Sequence, residues 1–247
     1  MMFGNSGFRC QSADFDGSAD YMLRGADLTG IADGKKGLLS YWVRLDGGDG
    51  SQLIAFNNAK AGKTFVSSRE TDNKIYVVGR NAATTDILNI RTNATYTASA
   101  AWLHVLSSWD LATVGARHLY INDVSDLTVT TFTNDTIDYA AGAANWGVGG
   151  NTDGTNLMNG CLAEIYFDPT TYLDLSVTAN RRLFIDATGK PVYLGATGQQ
   201  PTGTQSILYI TLPYGSAASA FNVNAGSGGN FTITGSLDLG STSPSYP

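Results

Sequence analysis

The sequence predicts an all-β sandwich of two antiparallel sheets, and three observations carry that prediction. Short segments of strand character recur at regular spacing between clusters of Gly, Asn and Asp along residues 8–131, a spacing that suits a sandwich better than alternating strands and helices. Charged residues make up 15% of the 247 residues and 29 are glycines, a mix that favours sheet joined by many turns. The stretch from Trp146 to Asp168 reads WGVGGNTDGTNLMNGCLAEIYFD. Within it Asn159-Gly160 is the strongest hairpin signal, because both central residues of a type I′ turn need positive φ, and it should start a strand.

Taken in order, strands are expected at residues 8–15, 21–24, 38–45, 52–56, 64–68, 74–79, 86–91, 102–109, 118–121 and 129–131, and then from Asn159 onward. In 38–45, Leu39, Tyr41, Val43 and Leu45 share one face while Ser40, Trp42 and Arg44 share the other, the period of a half-buried strand. In 161–168 the same alternation puts Cys161, Ala163, Ile165 and Phe167 on one face and Leu162, Glu164, Tyr166 and Asp168 on the other. A short helix is expected at 177–185, capped by Ser176 or Asp174 and stopped by Gly189. Val177, Leu183, Phe184 and Ile185 would lie on the sandwich, with Arg181 and Arg182 in solvent. Extended segments follow at 191–194 and 207–212. The chain divides into a sandwich, 1–213, and a Gly/Ser/Asn-rich arm, 214–247. The arm has few anchors (Phe221, Phe231, Ile233 and Leu237) to offset its ordering entropy, so the sandwich or a neighbouring subunit should hold it. On this reading the arm serves assembly more than folding, and the protein is a homo-oligomer.

Fifteen Lys and Arg against twenty-one Asp and Glu give a net charge of −6, which repels phosphate backbones and argues against a nucleic-acid partner. The N-terminus lacks the apolar core of a secretory signal, and no window approaches about 18 uninterrupted apolar residues. Synthesis in a cytoplasm without a signal peptide, and no membrane insertion, are therefore expected. Cys10 and Cys161 match no zinc spacing. They read as buried thiols, with a bridge between them open if the first strand lies beside the late one.

Trp102-Leu103-His104-Val105, His118-Leu119-Tyr120-Ile121-Asn122-Asp123 and Gly160-Cys161-Leu162-Ala163-Glu164-Ile165 resemble the laminin G-like branch of the concanavalin A-type jelly rolls. Asp174-Leu175-Ser176, the run from Ala179 to Asp186, Gly189-Lys190-Pro191-Val192, Leu194-Gly195, Pro201-Thr202-Gly203, the glycine-rich run from Asn224 to Gly235 and Ser243-Pro244 are similar to the later part of phage and prophage laminin G-like proteins. The resemblance implies a jelly-roll sandwich and a virion setting. The resemblance leaves function open; in that setting a structural or accessory role is expected, in capsid decoration or the tail, through interfaces with other virion proteins. The alternative is an adhesin that binds a host-surface glycan; a glycoside hydrolase is the third reading.

Residue by residue, the chemistry favours binding over catalysis. Glu164 and Asp168 would stand about 13 Å apart along one strand, wider than the roughly 5–9.5 Å that glycoside hydrolysis uses. His104 lies within a strand and reads as a packing residue, and no G-x-S-x-G elbow accompanies it or His118. Gly147-Val148-Gly149-Gly150 precedes no helix and so lacks a phosphate cradle. Trp42 with Arg44, and Glu164 with Tyr166, pair an aromatic with a polar group. They are the candidate glycan or subunit contacts, although a second layer could equally cover them. No cofactor is expected, with calcium as the alternative, since the resemblance implies rim sites and Asp46, Asp49 and Asp153 lie in acidic turns that offer oxygen ligands.

Overall fold

The computed structural model describes residues 8–58, 63–140 and 145–245. In chain order the strands are β1 (Ala13–Asp16), β2 (Tyr21–Leu23), β3 (Lys36–Leu45), β4 (Leu53–Asn58), β5 (Phe65–Arg69), β6 (Ile75–Arg80), β7 (Asp86–Arg91) and β8 (Leu103–Asp110). They continue as β9 (Arg117–Ile121), β10 (Val124–Ser125), β11 (Thr128–Phe132), β12 (Trp146–Val148) and β13 (Asn159–Asp168). After α1 (Thr178–Arg181) come β14 (Leu208–Ile210), β15 (Thr232–Thr234) and β16 (Asp238–Leu239).

Two sheets form, and every strand pairing in them is antiparallel. The first runs β10-β9-β8-β3-β13-β1-β16, with β14 also paired to β13; the second runs β11-β7-β6-β5-β4-β12-β2-β15. Between them lies one apolar core to which Leu39, Tyr41, Val43 and Leu45 contribute from β3, as their alternation predicts. At its centre Phe65 stacks on Phe167 with ring centroids 4.9 Å apart, and Trp109, Tyr139 and Trp146 ring it. Buried aromatics of this size supply much of the burial that holds two sheets face to face.

β13 departs from the sequence reading twice. Asn159 and Gly160 are paired strand residues opposite Asp16 and Phe15, not a turn; the preceding turns carry their positive φ at Gly149, Gly154 and Asn156. Gly160 is needed there because its φ is +141° and a Cβ would collide with the Arg44 carbonyl oxygen. The alternation also breaks. The register against β3 slips between Ala163 and Tyr166, and Glu164 takes a φ of +49°, the left-handed conformation of a bulge. Consequently Leu162, Ile165 and Phe167 face the core, while Cys161, Ala163 and Tyr166 face outward.

That outward face is covered by the chain itself. Leu175, Phe184, Leu194 and Tyr209 bury Tyr166, and Ile185 packs with Trp42, Trp102 and Cys161. The helix is only 178–181, with Val177 at its N-cap and no side-chain cap. Val177 is exposed while Phe184 and Ile185 are buried. The arginines are not free in solvent: Asp123 pairs with Arg181 at 2.5 Å and with Arg182 at 2.7 Å, and Arg181 lies over the Tyr120 ring.

Of the two holders expected for the arm, the structure shows the sandwich itself. Phe221, Phe231 and Leu237 are buried in the core between the sheets, and Ile233 packs against it. β15 adds to β2 and β16 to β1, so the segment closes an edge of each sheet. Cys10 and Cys161 are buried free thiols. Among the described residues no helix is long and apolar enough to cross a membrane.

Candidate functional site

Three neighbouring strands, β5 to β7, and the loops beside them build an open groove on the outer face of the second sheet. The register sets Val66 beside Val78 and Val78 beside Asn89, and one rung along, Ser68 beside Tyr76 and Tyr76 beside Arg91. Side chains on one face of adjacent strands lie in such rungs, so residues distant in sequence converge. The groove has a volume of about 610 Å³. Val66 and Val78, packed with Ile54 and Tyr76, give it an apolar strip, and Gln52, Glu70, Asp72, Arg80 and Asn89 add planar polar groups.

Those polar groups are held in place before any ligand arrives. Glu70 accepts from Gln52 Nε2 at 2.7 Å and from Ser68 Oγ at 2.5 Å. The Tyr76 hydroxyl donates to Asp72 at 2.9 Å and accepts from Arg91 at 2.6 Å; burial raises its pKa. Asp86 accepts from Arg80 Nε at 2.6 Å and Asn89 Nδ2 at 2.9 Å. That leaves the buried Asn89 Oδ1 without a partner among the described residues, and an unpaired acceptor of this kind costs about 1–3 kcal/mol until something donates to it.

The residues singled out from sequence lie elsewhere. Trp42 is buried and stacks on His104, centroids 4.6 Å apart, and Tyr166 is sealed under the second layer. Neither ring is offered to an external ligand, which corrects their reading as platforms. Arg44 makes a two-pronged pair with Asp46 at 2.8 and 2.6 Å. Asp49 accepts from Arg69 at 3.0 Å and Ala98 N at 2.9 Å, and Asp153 accepts from Thr155 Oγ1 at 2.6 Å. The three acids thus serve separate loops instead of converging on a cation. Asp46 does meet Asp14 and Cys161, with ligand atoms within 4.8 Å of one another, but Arg44 already supplies its positive charge.

Glu164 is buried; Tyr209 O–H donates to it at 2.8 Å and the Thr211 hydroxyl to its other oxygen. Burial pushes its pKa up to about 7. Asp168 is likewise buried and accepts from Thr170, so the two carboxylates do not face a substrate. His104 is sealed, bonded through Nε2 to Ser40 at 2.9 Å, and burial lowers its pKa to about 3.

No protein-family model matches the sequence, and no curated protein matches it. Solved structures do match the shape. A candidate carbohydrate-binding protein from Bacteroides ovatus superimposes with a TM-score of 0.62 at 14% identity, over 94% of this chain and 60% of that one. A heptameric SAP-like pentraxin from Limulus polyphemus gives 0.55 at 11% identity, over 94% and 95%. The fold is a concanavalin A-like jelly roll. The LG4-5 domains of the mouse laminin α1 chain match at 0.45 and 14% identity, over 67% of this chain and 43% of that one. The chain spans 60% of the length of the Bacteroides protein.

On this jelly roll the groove residues come from β5, β6, β7 and the loops beside them. The one signal for them in the sequence is the polar parity of those short strands, and parity alone does not say which strands become neighbours.

Proposed function

We propose that this protein binds carbohydrate, without turnover, in the groove across β5 to β7. The observation that carries the reading is the groove's two-sided chemistry: an apolar strip of Val66, Val78 and the Tyr76 ring beside ordered amide, carboxylate and guanidinium groups. A sugar ring has the matching character, with an apolar C–H face and a rim of hydroxyls, and concave sites of this size pair apolar surface with a few placed polar groups. The Asn89 side chain lines the groove beside this strip. Glu70 is held by Gln52 and Ser68 as a fixed acceptor. The similarity in shape to a candidate carbohydrate-binding protein supports the same reading.

The sequence resemblance over residues 174–203, 224–235 and 243–244 is what supports a virion setting, and there the ligand would be a host-surface glycan and the protein a receptor-binding component. A glycan array followed by calorimetric titration of the best ligand tests the proposal. Binding should fall about tenfold or more in Tyr76→Ala and in Asn89→Ala, each of which removes one contact. Glycan binding that survives both substitutions would place the site elsewhere.

A further inference from the structure

A second concavity lies on the opposite side of the sandwich, where the N-terminal segment meets the covering layer. It is a cleft of about 780 Å³ lined by Phe8, Tyr193, Tyr214, Ala220, Val223 and Thr211, among others. Three of the chain's exposed large apolar side chains gather here: Tyr193, Tyr214 and Val223 are 43%, 65% and 47% exposed. Phe8 and Tyr193 stand as a tilted pair with centroids 5.2 Å apart. Exposed apolar surface concentrated in one concavity marks a binding site more often than scattered exposure does.

The far wall of Tyr214 borders a smaller pocket of about 250 Å³, whose lining includes Gln11, Ser241, Thr242 and Ser243. Its hydrogen-bond polarity is set by what lies behind it. Thr242 Oγ1 accepts from Arg44 Nη1 at 2.7 Å and from Trp102 Nε1 at 3.1 Å, which occupies both lone pairs and leaves its hydrogen to donate. Gln11 Oε1 accepts from Gly215 N at 2.8 Å, leaving the amide N–H groups. The pocket therefore presents donors to an oxygen-rich group. No charged side chain lines it, and the Arg44 behind it is neutralised by Asp46. In the larger cleft the Thr211 hydroxyl gives its hydrogen to Glu164, so that wall has a lone pair to offer, and Arg9 is the charged side chain in the lining.

We infer that the two pockets form one site for a small amphiphile, with its alkyl or aryl body in the aromatic cleft and a hydroxyl-rich head beyond Tyr214. This site is separate from the groove and does not depend on it. The test titrates the full chain with octyl β-glucoside below its micellar concentration, and with glucose and octanoate at matched concentrations, using ligand-observed NMR and calorimetry. Octyl glucoside should bind more tightly than octanoate, and glucose should not bind. Tyr193→Ala should weaken it about tenfold, the loss of one aromatic wall, and Gln11→Ala should weaken it by a smaller factor, with Tyr76→Ala unchanged. Circular dichroism of the exposed-site variant Tyr193→Ala verifies that it is folded. The inference is overturned by equal or tighter binding of octanoate, by no binding of octyl glucoside, or by binding that Tyr193→Ala leaves intact. Loss in Tyr76→Ala alone would assign the binding to the groove instead.

Discussion

The Glu164 carboxylate accepts a hydrogen bond from the Tyr209 hydroxyl at 2.8 Å, bridging β13 and β14, which pair through Tyr166 and Tyr209. The bulge makes this contact possible by turning Glu164 out of the alternation of its strand. Its positive φ costs on the order of 1–3 kcal/mol, which the surrounding pairing to β3, β1 and β14 must offset.

Glu164→Gln should change the pH dependence of stability. The folded chain keeps this proton up to about pH 7, whereas an unshifted glutamate releases it near 4.5. The folded state thus binds more protons across that window, and the native protein loses stability as pH rises through it. A glutamine can still accept from Tyr209 and donate to Thr211. Relative to the native chain, the variant should gain on the order of 3 kcal/mol between about pH 4 and pH 8. Urea unfolding at both values checks this, and parallel behaviour of the two chains would sink it.

Gly160→Ala should be among the most damaging small substitutions. The residue has a φ of +141° and its missing Cβ faces the Arg44 carbonyl, so the change strains the backbone and pushes β13 from β3. A loss of about 3 kcal/mol or more is expected. A thermal midpoint within a degree or two of the native one would show that the two strands can separate at no cost.

Truncation after Pro213 should unfold the sandwich, because it removes Phe221, Phe231 and Leu237 from the core together with β15 and β16. Phe221→Ala is the milder test, with about 3–5 kcal/mol lost from a fully buried ring. Far-ultraviolet dichroism that stayed native in the truncated chain would return the segment to an assembly role.

Asp123→Asn should loosen the covering layer without unfolding the sheets. Asp123 holds both Arg181 and Arg182, and these pairs keep its carboxyl below the usual range. Its contribution is therefore present above the unfolded pKa and lost as pH falls through the folded one. Asparagine keeps the left-handed backbone that Asp123 adopts at φ +68°, so the loss should be confined to about 1–2 kcal/mol of charge-assisted bonding. Hydrogen exchange should quicken around residues 175–185 and stay unchanged in β3 and β8; equal effects on both would count against a local role.

What the sequence by itself determined is whatever repeats over a few residues. Alternation in residues 38–45 placed Leu39, Tyr41, Val43 and Leu45 in the core, and the spacing of short strands gave two antiparallel sheets, because the period of a strand is written in its own side chains. The tertiary structure alone decided three things. The bulge at Glu164 depends on the register that β3 imposes on β13, and it reversed the face of Ile165 and Phe167 relative to Leu162. The covering layer that buries Trp42 and Tyr166 comes from residues 170–245, so polar–aromatic pairs on an outward parity became interior. The groove joins Gln52, Glu70, Tyr76 and Asn89 from separate strands and loops. Each looks like an ordinary surface residue until sheet order makes them neighbours, because pairing partners are chosen by the packing of the whole core and not by any one strand.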